Sequence, residues 1–422
     1  MQLRPIASTL RYNATGVVII VLQIALTVAI LCNALSIIQQ QRLRMARPSG
    51  VDEADIFTLR NRWATSGTDG DFESLTRADL LVLRGLAGVI DAAAMNSFPL
   101  RGYGLTWNVR LRPRQRLPSA SSVAVYAGGE QALNALGVRL VAGRWFRPDE
   151  IAPFSVSDIG GVSPAEVVIT ASLARALFPD VGTDAAAVGR VVYLNANAST
   201  DVAAQAPTRV IGIVQQAQTP WAAVDGTSLP DRSSMFWPYQ YVAPTLAYVV
   251  RTRPGRRDAV MRAAEQALFA ADPNRIIDEA YTFRTTRALM YRSDRALSVT
   301  LAAVSVLLLA VTACGVVGTT AYWVAQRRRQ IGIRRALGAR RGDILGYFHL
   351  ENLLIASGGA GLGIALGVAL NLAIAAMAPV ARMSGAFLGG AALIVLALSQ
   401  AAVLWPALRA ASVPPAEATR SV

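Results

Sequence analysis

The chain has 422 residues, 53% of them apolar and 16% charged, with a net charge of +14 and a mean hydropathy of +0.38. Soluble globular chains carry about 25% charged residues, so this composition is shifted toward membrane proteins, and the positive balance points to an anionic partner or surface. All 41 basic residues are arginine, which excludes a Walker A lysine and Schiff-base chemistry; the single histidine, His349, excludes a histidine-based triad or multi-histidine metal site within one chain.

The first predicted element is an apolar run, Gly16 to Ile38, preceded by an N-terminal segment 1–15 with Arg4 and Arg11. It is long enough to cross a hydrocarbon core of roughly 30 Å at 1.5 Å per helical residue. A cleaved signal peptide has a shorter apolar core of roughly 7–15 residues and ends in a small-x-small site, so an uncleaved anchor is expected. Cys32 lies inside this run and Cys314 inside the next, which leaves no disulfide framework for an exported portion.

Residues 39–294 form the long segment between the first and second apolar runs and predict a mixed α/β domain. LTRADLLVLRGLAGVIDAAAM predicts a helix with Leu80, Leu83 and Leu86 on one face, then a strand from about Val89. AEVVITASLARALF predicts strand then helix, with Thr170 or Ser172 near the helix start. GRVVYL, TRVIGIV, SMFWPY and LAYVVRT are further strands, and PGRRDAVMRAAEQALFAADPN is a patterned helix. Patches around Ser119–Ser122 and Leu194–Pro207 predict surface loops. Two subdomains are expected, one of about residues 115–235 inserted within the other. Acids cluster at Asp52, Glu53 and Asp55, at Asp149 and Glu150, and at Asp278 and Glu279; turn and cap roles are the expectation for them, not hydrolysis.

A second apolar run covers 295–325. Next comes QRRRQIGIRRALGARRGDIL, residues 326–345, with Arg327, Arg328, Arg329, Arg334, Arg335, Arg340 and Arg341. An arginine at the bilayer centre costs about 2.5–3.5 kcal/mol, so this segment (326–343) lies outside the core, on the cytoplasmic side by the positive-inside rule. Ile331, Ile333, Ala336 and Leu337 interrupt the charge at near-helical spacing, which a bare topology signal does not require and which suits an amphipathic helix docking on a partner. No aromatics interleave with the arginines, so nucleic acid is not expected as a partner.

The third run covers 344–378 and carries Gly359, Gly363 and Gly367 along one face, a pattern that lets helix backbones approach in lipid. Static helix packing is the expected use; a sliding surface is the alternative. His349 and Glu351 sit near its cytoplasmic start, where snorkelling or a bond to the preceding loop accounts for them without a proton relay. The fourth run, 386–408, follows a short connection with one arginine, and 409–422 closes the chain. The charge bias therefore predicts both termini in the cytoplasm and residues 39–294 on the far side. The expected fold is an α-helical membrane protein with four transmembrane helices, one plus three, and a large α/β (α+β) external domain of two subdomains inserted between the first and second helix.

IGIRRALGARRGDIL, followed by ENLLIASGGAGLGIALG, resembles the permease domain shared by the MacB, LolC/LolE and FtsX type of ABC transporter. GVRLVAGRWFRPDE, AEVVITASLARALFPD, AAAVGRVVYLN, RVIGIVQQAQTP and MFWPYQ resemble successive blocks of the MacB periplasmic core domain, and WPALRAASVPPAEATR is similar to the family's closing segment at Pro406, Arg409, Ala410, Pro415, Glu417 and Ala418. The resemblance implies a bacterial inner-membrane permease that hydrolyses nothing itself and holds no cofactor or metal. It implies a homo- or heterodimer of permease chains on cytoplasmic ABC ATPase subunits that bind the ATP, the motor being a separate chain here. It also implies mechanotransmission: ATP-driven motion moves the periplasmic domains and drives export or extrusion through an adaptor protein and an outer-membrane duct. An FtsX-like transmitter controlling a periplasmic partner is the alternative. The ATPase-coupling residues it implies are Gln330, Ile331, Gly332, Ile333, Arg334, Arg335, Ala336, Leu337 and Gly338. Gln326 and Gln330 stand where the family commonly has acids.

Overall fold

The computed structural model describes residues 14–113, 122–155, 163–196, 207–221, 233–377 and 383–412. Outside these lie residues 1–13 of the expected N-terminal segment, 378–382 of the far-side connection, most of the two expected surface loops, and Pro415, Glu417 and Ala418 of the closing segment. The chain forms two compact units: Met1–Met45 with Ser293–Val422, and Ala46–Arg292.

The first helix, α1 (Ala14–Met45), belongs to the helical unit and ends with Arg42 and Arg44 in its last turn, where cations complement the helix dipole. The second unit starts with β1 (Ile56–Trp63), α2 (Asp69–Gly85) and β2 (Val89–Met95). Helix α2 begins well before the leucine pattern reveals it, because Thr68 and Asp71 form a reciprocal capping box. The chain continues through β3 (Leu105–Arg110), β4 (Ser122–Ala127), α3 (Ala132–Leu136), β5 (Leu140–Gly143), β6 (Ala152–Ser155), β7 (Glu166–Thr170), α4 (Ala171–Leu177), β8 (Val191–Ala196), β9 (Pro207–Val214), β10 (Ser234–Trp237) and β11 (Tyr239–Val242). It closes with β12 (Thr245–Thr252), α5 (Arg257–Ala271), β13 (Arg275–Thr282) and α6 (Phe283–Met290).

Two larger sheets result. One is antiparallel, in the order β13-β1-β12-β2, with α2 and α5 packed on it through Phe72, Leu80, Leu83, Val260, Ala264 and Leu268. The other runs β5-β9-β7-β10-β4-β3-β8 and encloses a separate core around Trp107, Val125, Ile169, Leu173 and Trp237. SMFWPY, expected as one strand, is two. Pro238 has no N–H to donate, so β10 ends in the large sheet and β11 leaves to pair with β6 in a two-stranded ribbon.

The helical unit continues with α7 (Arg292–Gln326), the short α8 (Arg328–Ala336), α9 (Arg341–Met377) and α10 (Gly385–Ser412). Among the described residues, α1, α7, α9 and α10 are the four helices long and apolar enough to cross a membrane. They share a core that includes Ile24, Val28, Cys32, Val316, Ile355, Ala360, Val395 and Val403. Intramembrane polar groups are matched across helices: the Thr27 and Thr312 hydroxyls lie 2.8 Å apart, and Gln23 donates to the Val311 carbonyl at 3.0 Å.

Candidate functional site

Helix α8 is amphipathic, but its two sides do different things. Arg327, just before it, and Ile331 lie one turn apart and are both buried, as is Gly332. Ile331 belongs to the helical-unit core, as do Ile344 and Phe348 of α9. Gln330, Ile333, Arg334 and Leu337 follow the i, i+3, i+4, i+7 spacing of a second face, and all four are exposed; Ile333 is 46% and Leu337 83% accessible. Ala336 is also exposed and Arg335 half-buried. The Arg334 guanidinium lies 5.4 Å from the centroid of the Tyr347 ring, which braces this face against the first turns of α9.

The end of α8 is defined by Gly338. Its φ of +99° is a left-handed conformation that costs a side-chain-bearing residue energy, and its N–H closes the helix on the Arg335 carbonyl at 3.1 Å. Two residues later a new helix starts: Asp343 accepts a bond from the Arg340 N–H at 2.8 Å and supplies negative charge to the first turn of α9.

The other end of α8 is held by an ion pair that composition and spacing do not reveal. Arg327 Nη1 donates to both oxygens of Glu351, at 3.1 and 2.9 Å. Glu351 is 2% accessible and Arg327 8%, and the guanidinium sits 5.8 Å from the Trp323 ring centroid. The lone acid in the third apolar run is therefore tied to the preceding segment. His349 Nδ1 lies 2.8 Å from Gln400 Oε1 on α10. Glu351 was legible as an expensive group that needs a partner; which of seven arginines provides it was not.

The three glycines of α9 lie against α1. A Cβ on Gly363 would meet the Ala25 carbonyl oxygen at 2.6 Å and Val28 Cβ at 2.7 Å. One on Gly359 would meet Ile24 at 2.8 Å, and one on Gly367 would have ordinary contacts of 3.4 Å and more with Ala29. Asn33 Nδ2 ties the same seam, donating to the carbonyls of Ala29 at 2.9 Å and Gly367 at 3.2 Å.

In the α/β unit acids from each of the three clusters meet arginines. Asp52 accepts from Arg251 Nη2 at 2.9 Å, Glu53 lies 3.2 Å from Arg287, and Glu279 lies 3.2 Å from Arg60. Glu150 receives two bonds from Arg144, at 2.7 and 2.8 Å, and the hydrogen bond from that guanidinium holds its pKa down at about 2. Among the described residues no group of three or more His, Cys, Asp or Glu is arranged to hold a metal ion.

The MacB-like periplasmic core domain family matches residues 14–267, more than half of the 422. This chain belongs to that family. The FtsX-like permease C-terminal family matches residues 302–415, which takes in most of α7 and all of α8, α9 and α10. Among curated relatives, the macrolide export ATP-binding/permease protein MacB of Chromobacterium violaceum is 28% identical over 331 residues, 77% of this chain and 45% of that protein. The MacB of Sodalis glossinidius is 26% identical, covering 91% of this chain and 54% of its own length. The chain thus spans about half the length of the curated relatives it matches. The solved periplasmic region of MacB from Actinobacillus actinomycetemcomitans is 17% identical, covers 57% of this chain and 94% of its own, and has a TM-score of 0.32. The fold class follows: a MacB-like multi-pass protein with one apolar helix, an α/β domain and three further apolar helices.

Proposed function

We propose that this MacB-like chain is the permease part of an ABC transporter in the bacterial inner membrane, and that it passes the work of a cytoplasmic ABC ATPase to its periplasmic domain to drive export or extrusion. The supporting observation is the division of labour on α8. One side is seated on α9 through Ile331 and Arg327, while Ile333 and Leu337 remain exposed among arginines on the other. Exposed large apolar side chains within a charged surface mark an interaction site. The motor occupies that face in this reading, and it binds the ATP, since these 422 residues contain no lysine to serve a Walker A loop.

The arginine-rich segment then lies in the cytoplasm with both termini, and the α/β unit in the periplasm. A second permease chain completes the transporter. Helix α7 suits that contact, because it leaves Val299, Val306, Leu307 and Val311 exposed within an apolar span. In this reading the cargo reaches an outer-membrane duct through a periplasmic adaptor; the named relatives are macrolide export proteins. The test is co-purification of the chain with its ABC ATPase from membranes. The double change Ile333→Asp, Leu337→Asp is expected to reduce the recovered ATPase at least tenfold while the chain itself accumulates normally. Undiminished recovery of a working ATPase complex would refute the docking face.

A further inference from the structure

Helix α8 follows a break in the helical path: Arg327, between α7 and α8, has φ −99° and ψ 12°. A displacement of α8 would be lost in that joint unless α8 were fastened to something stiffer. The candidates are the apolar seat of Ile331 and the buried pair of Arg327 with Glu351. Apolar contact is non-directional and lets surfaces slip, whereas a hydrogen-bonded ion pair fixes distance and angle. Opening this pair would strand a carboxylate whose side chain is 2% accessible, so it stays closed over the range of motion that a docked partner imposes.

We infer that Arg327 and Glu351 are the positioning residues that make α8 and the cytoplasmic half of α9 move as one body, a role that rests on the proposed function. The Nη1 of Arg327 bridges both carboxylate oxygens, the Trp323 ring lies beside the guanidinium, and Ile331 one turn further on is buried in the same apolar core as Ile344 and Phe348. From there α9 is continuous to Met377 and meets α1 along Gly359 and Gly363, with less than a side chain's space between them. Displacement of α8 therefore travels through α9 into α1, the helix that leads the chain into the α/β unit. Without the pair, α8 keeps its docking face but swivels at Arg327.

The test separates the joint from the motor. The full chain, with Cys32 and Cys314 replaced by alanine, carries spin labels at Arg329→Cys and Leu366→Cys and is reconstituted in lipid nanodiscs for pulsed electron resonance. The background protein is expected to give one narrow distance population. Glu351→Gln should broaden it at least twofold, and the reversed pair Arg327→Glu, Glu351→Arg should narrow it again. In the assembled complex, Glu351→Gln should recover ATPase within twofold of the unaltered chain yet lose at least five-fold of the ATPase stimulation that the permease confers, with at least half restored by reversal. An unbroadened distribution in Glu351→Gln overturns the inference, as does a loss of stimulation that merely tracks lost ATPase. If Glu351→Gln does not fold, the reversed pair decides: folded with a broad distribution refutes the joint. If the unaltered chain binds no ATPase, the proposed function fails while the distance measurement still reports on the joint.

Discussion

At the scale of single residues, the strongest constraint in the α/β unit is a buried charge network. Asp79 on α2 receives Arg275 Nη1 at 2.6 Å and Nη2 at 2.9 Å, and the Tyr248 hydroxyl donates to it at 2.5 Å. The two charged side chains are only 2% and 1% accessible, and burial beside a carboxylate raises the Tyr248 pKa well above its usual value. Removing one partner strands the other charge, which typically costs about 3–5 kcal/mol, whereas an apolar replacement of both is far milder. Asp79→Asn is therefore expected to lower unfolding stability by roughly that amount in a denaturant titration. The double change Asp79→Leu, Arg275→Met should regain most of it; a single variant as stable as the parent would show that the network contributes nothing. None of this is legible locally. Asp79 sits next to Leu80 in a helix whose other acids are exposed or half-buried, and its partner lies 196 positions away. The same holds for Glu351, where burial signals that a partner is needed and only the fold names it.

At the scale of elements, apolar runs are legible because a bilayer imposes a length that few other structures need, and all four emerge as long helices. Strands and helix starts are less so. β1 reads IFTLRNRW, with Asn61 buried and Arg60 paired to Asp278 and Glu279, so polar positions disguise a central strand. The early start of α2 was available in Thr68-x-x-Asp71, a capping signal that leucine spacing overlooks. On the exposed face of α8, charge and apolar spacing are both present in the sequence; which side is covered depends on where α9 lies. The glycine face of α9 carries its own prediction. A methyl on Gly363 meets backbone at 2.6 Å, and one on Gly367 meets nothing closer than 3.4 Å. Gly363→Ala is expected to force α9 off α1 and lower the detergent-solubilised protein's melting temperature by several degrees, while Gly367→Ala stays within about a degree. Equal effects of the two would mean that the α1–α9 seam is not held as described.

At the scale of the whole molecule, the charge bias predicts opposite sides of the membrane for the arginine-rich segment and the α/β unit. Single cysteines at Leu337 and Gln266, both exposed, report sidedness in a chain without Cys32 and Cys314. A membrane-impermeant maleimide applied to spheroplasts should label Gln266→Cys at once and Leu337→Cys only after the membrane is opened; the reverse order would invert the whole arrangement. In the proposed function, ATP use at the cytoplasmic face changes the periplasmic domain. Hydrogen exchange followed by mass spectrometry on the chain with its ATPase in nanodiscs, with and without ATP, measures this directly. Peptides within residues 46–292 are expected to change exchange rate on ATP binding, and to lose that change in Ile333→Asp, Leu337→Asp. An ATP response confined to the ATPase and α8, with residues 46–292 unaltered while ATP is being hydrolysed, would contradict it.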